Sequence, residues 1–270
     1  MPGNILRFLT FAAAIAAAAL FCAGCGNQGK RAVNVVGSTS IQPFAEFLAQ
    51  EYDKKHLDQQ VEVQGGGSTA GLQAVANGLA DIGTCSRSLK GDEAAQFTPT
   101  TIARDGLAIV VNPGNPVNDL SLEQLRALFS GQIKNWKAVG GHDGPVRPIT
   151  REEGSGTRES FVNLVMGKTD ISPAALTQES NGAVKELVKG DLAAVGYMSL
   201  GLVGNELKAA RVGGVEPTSA NVLAGTYRLA RPFLFVTKGN VRPEAQQFID
   251  YVLSPEGQKI LEAEGLVRVR

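Results

Sequence analysis

The segment 148–165, with the sequence PITREEGSGTRESFVNLV, contains the junction that decides the fold. It begins as a short strand, passes through an arginine, two glutamates and a Gly-Ser-Gly-Thr turn, and then becomes amphipathic at helical spacing, with Phe161, Leu164 and Val165 on one face. A serine or threonine before such a run is a helix start signal, because its hydroxyl can accept hydrogen bonds from the first-turn N–H groups. A helix N-terminus beside a guanidinium is suited to binding an anion. The segment therefore predicts a strand–turn–helix unit with an anion site at its turn.

The same unit occurs twice near the start of the chain. A buried strand at 33–36 leads into the Gly-Ser-Thr-Ser turn 37–40, and Pro43 then stands where a first-turn proline belongs. A second strand at 61–63 leads into the glycine-rich turn 65–69 and another helical face. All three Ser/Thr-Gly turns thus occupy strand-to-helix junctions. In open α/β sheets such junctions lie where ligands bind.

Strands alternate with helices along the whole chain, which predicts an α/β fold with mostly parallel sheets flanked by helices. The apolar run 106–111 predicts a strand buried on both faces, and the turn cluster 112–116 after it is interpreted as a crossing between domains. The extended run 227–236 is interpreted as the crossing back. Two lobes are therefore expected, one formed by residues 33–111 plus 232–270 and the other by residues 112–231.

Composition excludes several classes of function. The chain has 270 residues, with 26 Lys and Arg against 26 Asp and Glu and only 6% aromatics, which argues against nucleic-acid binding. It has two histidines and no cluster with metal-ligand spacing, so no metal or other cofactor is expected. A nucleotide P-loop motif is absent. An exported phosphatase using Ser68 or Ser155 as nucleophile is an alternative, but a base for either serine is missing.

Residues 1–24 have the pattern of a signal peptide, and residues 25–32 that of a linker. The sequence Cys-Ala-Gly-Cys at 22–25 resembles a bacterial lipobox, which predicts lipidation of Cys25 and anchoring through that lipid alone. Cys22 stands where that motif usually has leucine, so an ordinary secretory signal cleaved near Gly24 is the alternative. Cys85 is then the one thiol of the folded body, and is expected to be a small buried residue.

Five stretches together resemble the phosphate-binding proteins of bacterial high-affinity phosphate ABC transporters, with order and spacing in agreement over most of residues 33–260. These stretches are 37–40, 65–71, 81–83, 151–157 and 194–197. The resemblance implies a two-lobed periplasmic-binding-protein fold of type II, with two crossovers, that closes over its ligand like a hinge and catalyses no reaction.

The resemblance also implies the residues that bind phosphate. They are Thr39, Ser40, Ser68, Arg151, Ser155, Gly156 and Thr157. Glu153 matches an acidic residue that orients the arginine. Two further hydroxyls, those of Ser38 and Thr69, could contribute, or could only cap helices.

The chain departs from the family at one position. Well-known members have an aspartate that accepts the proton of hydrogen phosphate and so repels sulfate, and here Ser86 stands in its place, beside Arg87. Asp105 is our candidate for the proton acceptor, with a strand-end cap as the alternative. Arg87 is expected either to strengthen anion binding or to form an ion pair across the cleft.

The resulting expectation is an exported, monomeric solute-binding protein, periplasmic or at the cell surface, that captures inorganic phosphate and delivers it to an ABC permease. A first alternative is a solute-binding protein of the same kind that binds sulfate, molybdate or tungstate instead. The exported phosphatase is a second alternative, and a sensor or adhesion module that binds phosphate without transport is a third.

Overall fold

Strands and helices alternate through residues 31–269, which are the residues that the structure, a computed structural model, describes. The strands are β1 (Arg31–Gly37), β2 (Gln59–Gly65), β3 (Ile82–Cys85), β4 (Thr98–Val111), β5 (Asp119–Leu120), β6 (Arg147–Arg151), β7 (Leu176–Gln178), β8 (Ala194–Ser199), β9 (Lys208–Val212) and β10 (Ala230–Thr237). The helices are α1 (Gln42–Asp53), α2 (Ser68–Ala76), α3 (Gly91–Gln96), α4 (Leu122–Phe129), α5 (Gly156–Phe161), α6 (Asn181–Gly190), α7 (Ser219–Leu223), α8 (Pro243–Leu253) and α9 (Pro255–Ala263). Two short 3-10 turns lie at Trp136–Val139 and Leu200–Leu202, and α5 continues as a π-helical turn, Val162–Met166.

Local sequence signals account for where several helices begin. Pro43 lies in the first turn of α1, where its missing N–H costs nothing. The capping box predicted for α4 is confirmed, because Ser121 Oγ accepts from the Gln124 N–H at 3.2 Å and Gln124 Oε1 accepts from the Ser121 N–H at 2.8 Å. Ser155 caps α5 in a similar way, with Oγ accepting from the Arg158 N–H at 3.3 Å. The turn before α5 is thereby held at the end of β6.

The main sheet follows the strand order β2-β1-β3-β10-β4-β8-β6-β7. Parallel pairs join β1 to β3, and β6 to both β7 and β8, which are strands of the strand–turn–helix units. The two long strands β4 and β10 are antiparallel to each other. In addition, β10 is antiparallel to β3, and β4 is antiparallel to β8. The α/β class is as predicted, while the two crossing strands make the sheet mixed.

The long strand β4 passes from one group of strands to the other. Its residues 98–106 pair with β10, and its residues 107–111 pair with β8. The structure therefore differs from the expected crossing at 112–116, which is a turn after the strand has already joined the second group. A strand of 14 residues spans about 45 Å at the usual rise, so it is long enough to serve both groups without a break in its sequence pattern.

The apolar core forms on both faces of each group of strands. One cluster under the first group contains Val33, Val35 and Phe233, and another on its opposite face contains Leu72 and Cys85. Residues 107–111 of β4 are buried on both faces, as predicted, and alternate between the two clusters of the second group. The strands β1, β2 and β3 share a core of the first group, whereas β6 packs on a core of the second group. The site is built from the turns that follow these strands.

Candidate anion-binding site

Arg151, the last residue of β6, is the most buried cation of the site at 1% exposure. Its Nε and Nη2 donate to the two carboxylate oxygens of Glu152 at 2.9 and 2.8 Å, and also to the backbone oxygens of Gln178 and Glu179 at 3.0 and 3.1 Å. Its Nη1 is buried and has no hydrogen-bond partner among the residues that the structure describes. An unpaired buried donor on a charged group is costly. This nitrogen therefore marks where an acceptor from a ligand fits.

The carboxylate that orients Arg151 is Glu152, so the prediction that Glu153 does so is wrong. Glu152 is half-buried and forms the two-point pair with the guanidinium, whereas Glu153 is exposed in the turn that follows. The chain leaves β6 at Arg151 and turns at once. The first residue of the turn therefore folds back along the guanidinium, and the second points to solvent.

The turn after β1 forms one wall of the site. Thr39 Oγ1 accepts from Arg151 Nη2 at 3.0 Å, which joins this turn to the end of β6. Ser40 is fully buried, and its Oγ lies 2.7 Å from Thr157 Oγ1. Ser38 Oγ accepts from the Ser40 N–H at 3.2 Å, so its hydroxyl satisfies a backbone N–H of its own turn. Thr39 and Ser40 are thus brought to Arg151 and Thr157.

The turn before α2 places Ser68 against the start of α5. A Cβ atom added to Gly156 would lie 2.2 Å from Ser68 Oγ and 2.8 Å from Ser86 Oγ. Glycine is therefore required at 156 by the close approach of these two serines. Ser68 Oγ also accepts from the Ser86 N–H at 3.1 Å. Thr69 lies at the edge, half-buried, with its N–H donating to the Gly154 oxygen at 3.1 Å.

The start of α5 supplies the donors of the opposite wall. Gly156 and Thr157 are its first residues, and first-turn N–H groups have no acceptor within their own helix. The hydroxyls of Ser155 and Thr157 lie beside them, and both residues are 1% exposed. The structure therefore assembles hydroxyls, helix-terminal N–H groups and a guanidinium from three strand–turn–helix units. Such a set of donors suits an anion with several oxygens.

Asp105, our candidate proton acceptor, has both carboxylate oxygens in use. Oδ2 accepts from Arg231 at 2.9 Å, and Oδ1 accepts from Ser199 Oγ at 2.9 Å. Burial raises the pKa of the Asp105 carboxyl, while the adjacent Arg231 acts to lower it. Each carboxylate oxygen of Asp105 thus accepts from a group of the protein, and its role as the acceptor of a ligand proton stays a prediction. Asp105 is not a strand-end cap, since it lies in the interior of β4.

Arg231 is a buried cation of the site that sequence reasoning missed. Its Nη1 donates to Thr157 Oγ1 at 2.8 Å and its Nη2 to Ser40 Oγ at 3.1 Å. Asn181, which was also missed, donates from Nδ2 to Ser40 Oγ at 2.9 Å. The signal for Arg231 was a cation inside the apolar run 227–236. Asn181 had no comparable signal, because it is only the first residue of an ordinary helix.

Arg87 forms the ion pair that was one of its two expected roles. Its guanidinium lies 2.6 Å from a carboxylate oxygen of Glu93 and 3.0 Å from one of Glu159. The hydrogen bond from Arg87 lowers the pKa of the Glu93 carboxyl. Glu159 belongs to α5 and Arg87 follows β3, so the pair connects the two groups of strands. Glu93 accepts from Nη1 and Nη2 of Arg87, while Nε lies beside Glu159 and, like Nη1 of Arg151, is buried without a hydrogen-bond partner among the described residues. What separates the two is that Arg87 Nε faces a carboxylate, whereas no carboxylate within residues 31–269 is paired with Arg151 Nη1.

The single cysteine of the folded body and the N-terminal segment complete the comparison with the sequence predictions. Cys85 is buried, as expected, and burial raises the pKa of its thiol. Within residues 31–269, no helix combines the length and the apolar character needed to cross a bilayer. The predicted signal peptide at 1–24 and the lipidation of Cys25 lie outside the described residues. The predicted linker 25–32 overlaps the start of β1 at Arg31.

Comparison with known proteins gives one consistent family. A family model described as a PBP superfamily domain matches residues 26–256. The chain is 30% identical to the phosphate-binding protein PstS of Bacillus subtilis over 276 residues, which cover 94% of this chain and 92% of that protein. The PstS of Borreliella burgdorferi is 27% identical, with 91% and 93% covered.

Solved structures agree with these matches. A substrate-binding protein from Clostridium perfringens, assigned to a phosphate ABC transporter and crystallised with bound phosphate, is 39% identical with a TM-score of 0.86, over 89% of this chain and 100% of that one. An ABC-type phosphate transport receptor from Vibrio cholerae is 41% identical with a TM-score of 0.74, over 87% and 99%. The chain therefore belongs to the PBP superfamily and, within it, to the PstS family of phosphate-binding proteins.

Proposed function

We propose that this protein captures inorganic phosphate in the site around Arg151 and delivers it to an ABC permease. The observation that carries the proposal is the buried Nη1 of Arg151, which has no partner in the described part of the chain. The names of the relatives support the choice of ligand, since they are phosphate-binding proteins and one was crystallised with phosphate. Binding proteins of transporters are not enzymes, so no reaction is part of the proposal.

The charge balance of the site fits a small dianion. Arg151 is paired with Glu152 and Arg231 with Asp105, so the buried formal charges cancel before a ligand binds. A phosphate group carries about −1.5 to −2 charges near neutral pH. That charge would be stabilised by the free Nη1, by hydroxyls, and by helix N-termini that each carry about half a positive charge.

The proposed contacts of phosphate are the residues predicted from the family resemblance. Thr39 is an informative case, because its Oγ1 already accepts from Arg151 Nη2 and, at 3.4 Å, from Asn181 Nδ2. A hydroxyl has two acceptor lone pairs and one proton, so the proton of Thr39 is left to donate to the ligand. The other proposed contacts are Ser68, Arg151, Ser155, Gly156 and Thr157, and Ser40 supports them from behind Thr157, with its Oγ 2.7 Å from Thr157 Oγ1.

We also propose that two lobes close over the anion. The pairing of β4 supports a boundary inside that strand near Gly106, and not at 112 as the sequence suggested. β10 would form the return connection near Arg231. Closure would bend these two antiparallel strands, as in other hinged binding proteins. Ion pairs such as Arg87–Glu159 would then form on closure.

The cellular setting remains as the sequence predicts it. We propose export by the segment 1–24, attachment to the membrane through a lipid on Cys25, and function as a monomer outside the cytoplasm. Support comes from the lipobox-like sequence and from the family, whose members serve transporters. Mass spectrometry of the exported protein tests the lipid directly, because replacing Cys25 by serine should remove a mass increment from the N-terminal peptide.

One observation favours a second candidate, a binding protein for a fully ionised oxyanion such as sulfate. The family aspartate is replaced by Ser86, and two carboxylates at the site, Asp105 and Glu152, are engaged by arginines. A site without a free acceptor has no carboxylate to reject an anion that lacks a proton.

Calorimetry of the ligand-free protein against phosphate and sulfate separates the two candidates. We expect a single saturable site with tighter binding of phosphate, and Glu153→Gln is the control that should bind like the natural protein, because Glu153 is exposed in the turn. Tighter binding of sulfate would replace the proposed function by the second candidate. A protein that binds neither anion would refute both.

A further inference from the structure

Two buried hydroxyls from distant parts of the chain touch each other in the site. Ser40 Oγ, at the end of the β1 turn, lies 2.7 Å from Thr157 Oγ1 at the start of α5. Both residues are at most 1% exposed, so water does not share this contact freely. Only one of the two can donate its proton to the other. The surrounding donors decide which one does.

Ser40 has its acceptor positions filled by the protein. Asn181 Nδ2 donates to Ser40 Oγ at 2.9 Å, and Arg231 Nη2 donates to the same oxygen at 3.1 Å. The amide of Asn181 is oriented by its other end, since Oδ1 accepts from the Ser199 N–H at 3.1 Å. A hydroxyl oxygen has two lone pairs, and these two donors use them. The proton of Ser40 therefore goes to Thr157.

The two acceptor positions of the Thr157 hydroxyl are also filled by the protein. Its Oγ1 accepts from Ser40 and, at 2.8 Å, from Arg231 Nη1. Its own proton has no acceptor among the contacts of the described residues, and the hydroxyl sits beside the first-turn N–H groups of α5. The proton of Thr157 is therefore available for a ligand oxygen that lacks a proton.

We propose that Arg231 is a positioning residue for anion binding, which makes Thr157 an obligatory hydrogen-bond donor by occupying acceptor positions on both Ser40 and Thr157. The inference rests on the proposed function, because the anion is the acceptor. It assigns Ser40 a role through Thr157, and it makes this end of the site specific for an unprotonated oxygen of the ligand.

The fold holds the guanidinium in the orientation that this role needs. Arg231 and Asp105 are register partners on β10 and β4, and Nε of the arginine donates to Oδ2 of the aspartate at 2.9 Å. The guanidinium carbon lies 5.2 Å from the centre of the Phe233 ring. The far edge of the planar group therefore presents Nη1 and Nη2 to the two hydroxyls at once. A lysine ammonium keeps the charge but lacks this planar fork.

A double-mutant cycle on phosphate affinity tests the inference. Thr157→Val should weaken binding of inorganic phosphate about tenfold or more, since it removes a hydrogen bond to a charged ligand. Arg231→Lys should weaken it about tenfold in the natural background and about twofold or less in the Thr157→Val background, because the hydroxyl that Arg231 turns toward the anion is already absent there. Calorimetry at fixed pH and salt supplies all four dissociation constants.

Conservative rescue and a matched control exclude a general loss of packing. Thr157→Ser keeps the hydroxyl, so it should restore the tenfold sensitivity to Arg231→Lys. Arg87→Lys alters another buried guanidinium that links the two groups of strands without touching either hydroxyl, so its effect should be the same with Thr157 or Val at position 157. Equal effects of Arg231→Lys in both backgrounds would overturn the inference while leaving phosphate binding intact. Failure of the natural protein to bind phosphate would instead overturn the proposed function.

Discussion

Two buried arginines of the site are used in contrasting ways. Arg151 and Arg231 are 1% and 3% exposed, and each is paired with a carboxylate. Arg231 has an acceptor for every guanidinium nitrogen, whereas Arg151 keeps Nη1 without a partner in residues 31–269. Burial and charge are therefore alike, and the unfilled donor is what, in the proposed function, separates Arg151 as a ligand-binding cation from Arg231 as one that organises its neighbours. The two arginines should respond differently to mutation.

The pair of Arg231 with Asp105 should show the largest effect on stability. Asp105→Ala leaves a buried guanidinium without its counter-ion, which should lower the free energy of unfolding by about 3–5 kcal/mol. Urea unfolding of the ligand-free protein measures this change. If the loss were under about 1 kcal/mol, the pair would not hold the β4–β10 register as described.

A substitution of Arg151 should instead weaken phosphate binding strongly and lower the stability of the ligand-free protein less. Arg151→Ala removes a charged partner from the buried anion and should weaken phosphate binding by at least about 2 kcal/mol, or about 30-fold. The ligand-free protein should lose less stability than Asp105→Ala does, because Glu152 is half-buried and can be hydrated when it loses its partner. Calorimetry and urea unfolding of the same preparation give both numbers. An unchanged dissociation constant would show that the site is elsewhere.

The part of the site near Arg151 could be predicted because its signals are local. A strand, a Ser/Thr-Gly turn and a helix in succession specify where hydroxyls and N–H groups gather, and the family resemblance then assigned Thr39, Ser68 and Gly156 within these turns. The part near Arg231 could not be predicted in the same way. Its contacts with Asp105 and Thr157 depend on the register of β4 against β10, across 126 and 74 residues of sequence.

Two further errors, the choice of the glutamate that faces Arg151 and the place of the crossing, also arose because they depend on features that local sequence patterns do not report. Which of two adjacent glutamates faces Arg151 depends on how the chain turns after β6, which ends at Arg151. The crossing between the two groups of strands lies inside β4, because a long apolar strand can serve two sheets without any break in its pattern. Sequence periodicity reports burial on both faces, but not which core each face joins.

A substitution at Gly156 tests how closely the start of α2 and the start of α5, which form two walls of the site, must approach each other. Gly156→Ala places a methyl group 2.2 Å from Ser68 Oγ, so the walls must separate. Such overpacking typically costs about 1–3 kcal/mol, and here it should appear mainly as weaker phosphate binding, because closure brings the walls together. Gly190→Ala is a control in open space at the end of α6 and should bind phosphate normally. Normal binding by Gly156→Ala would show that the walls need not meet.

The smallest effect concerns how Arg151 is oriented. Glu152→Gln keeps the shape of the side chain but removes the charge that holds the guanidinium, and should weaken phosphate binding by about 1 kcal/mol. Glu153→Gln, one residue further on, should change the affinity by less than about 0.5 kcal/mol, since the side chain is exposed. Calorimetry of the pair under identical conditions gives the comparison. A larger effect at Glu153 than at Glu152 would contradict the observed pairing.

The central claim is that Nη1 of Arg151 is left open for an oxygen of the bound anion. A crystal structure of the protein with phosphate tests it most directly. We expect a phosphate oxygen at about 2.7–3.0 Å from Nη1, another acceptor at hydrogen-bond distance from Thr157 Oγ1, and Arg231 still on Asp105 and Ser40. A phosphate bound at another place, with Nη1 still unpaired, would contradict the account.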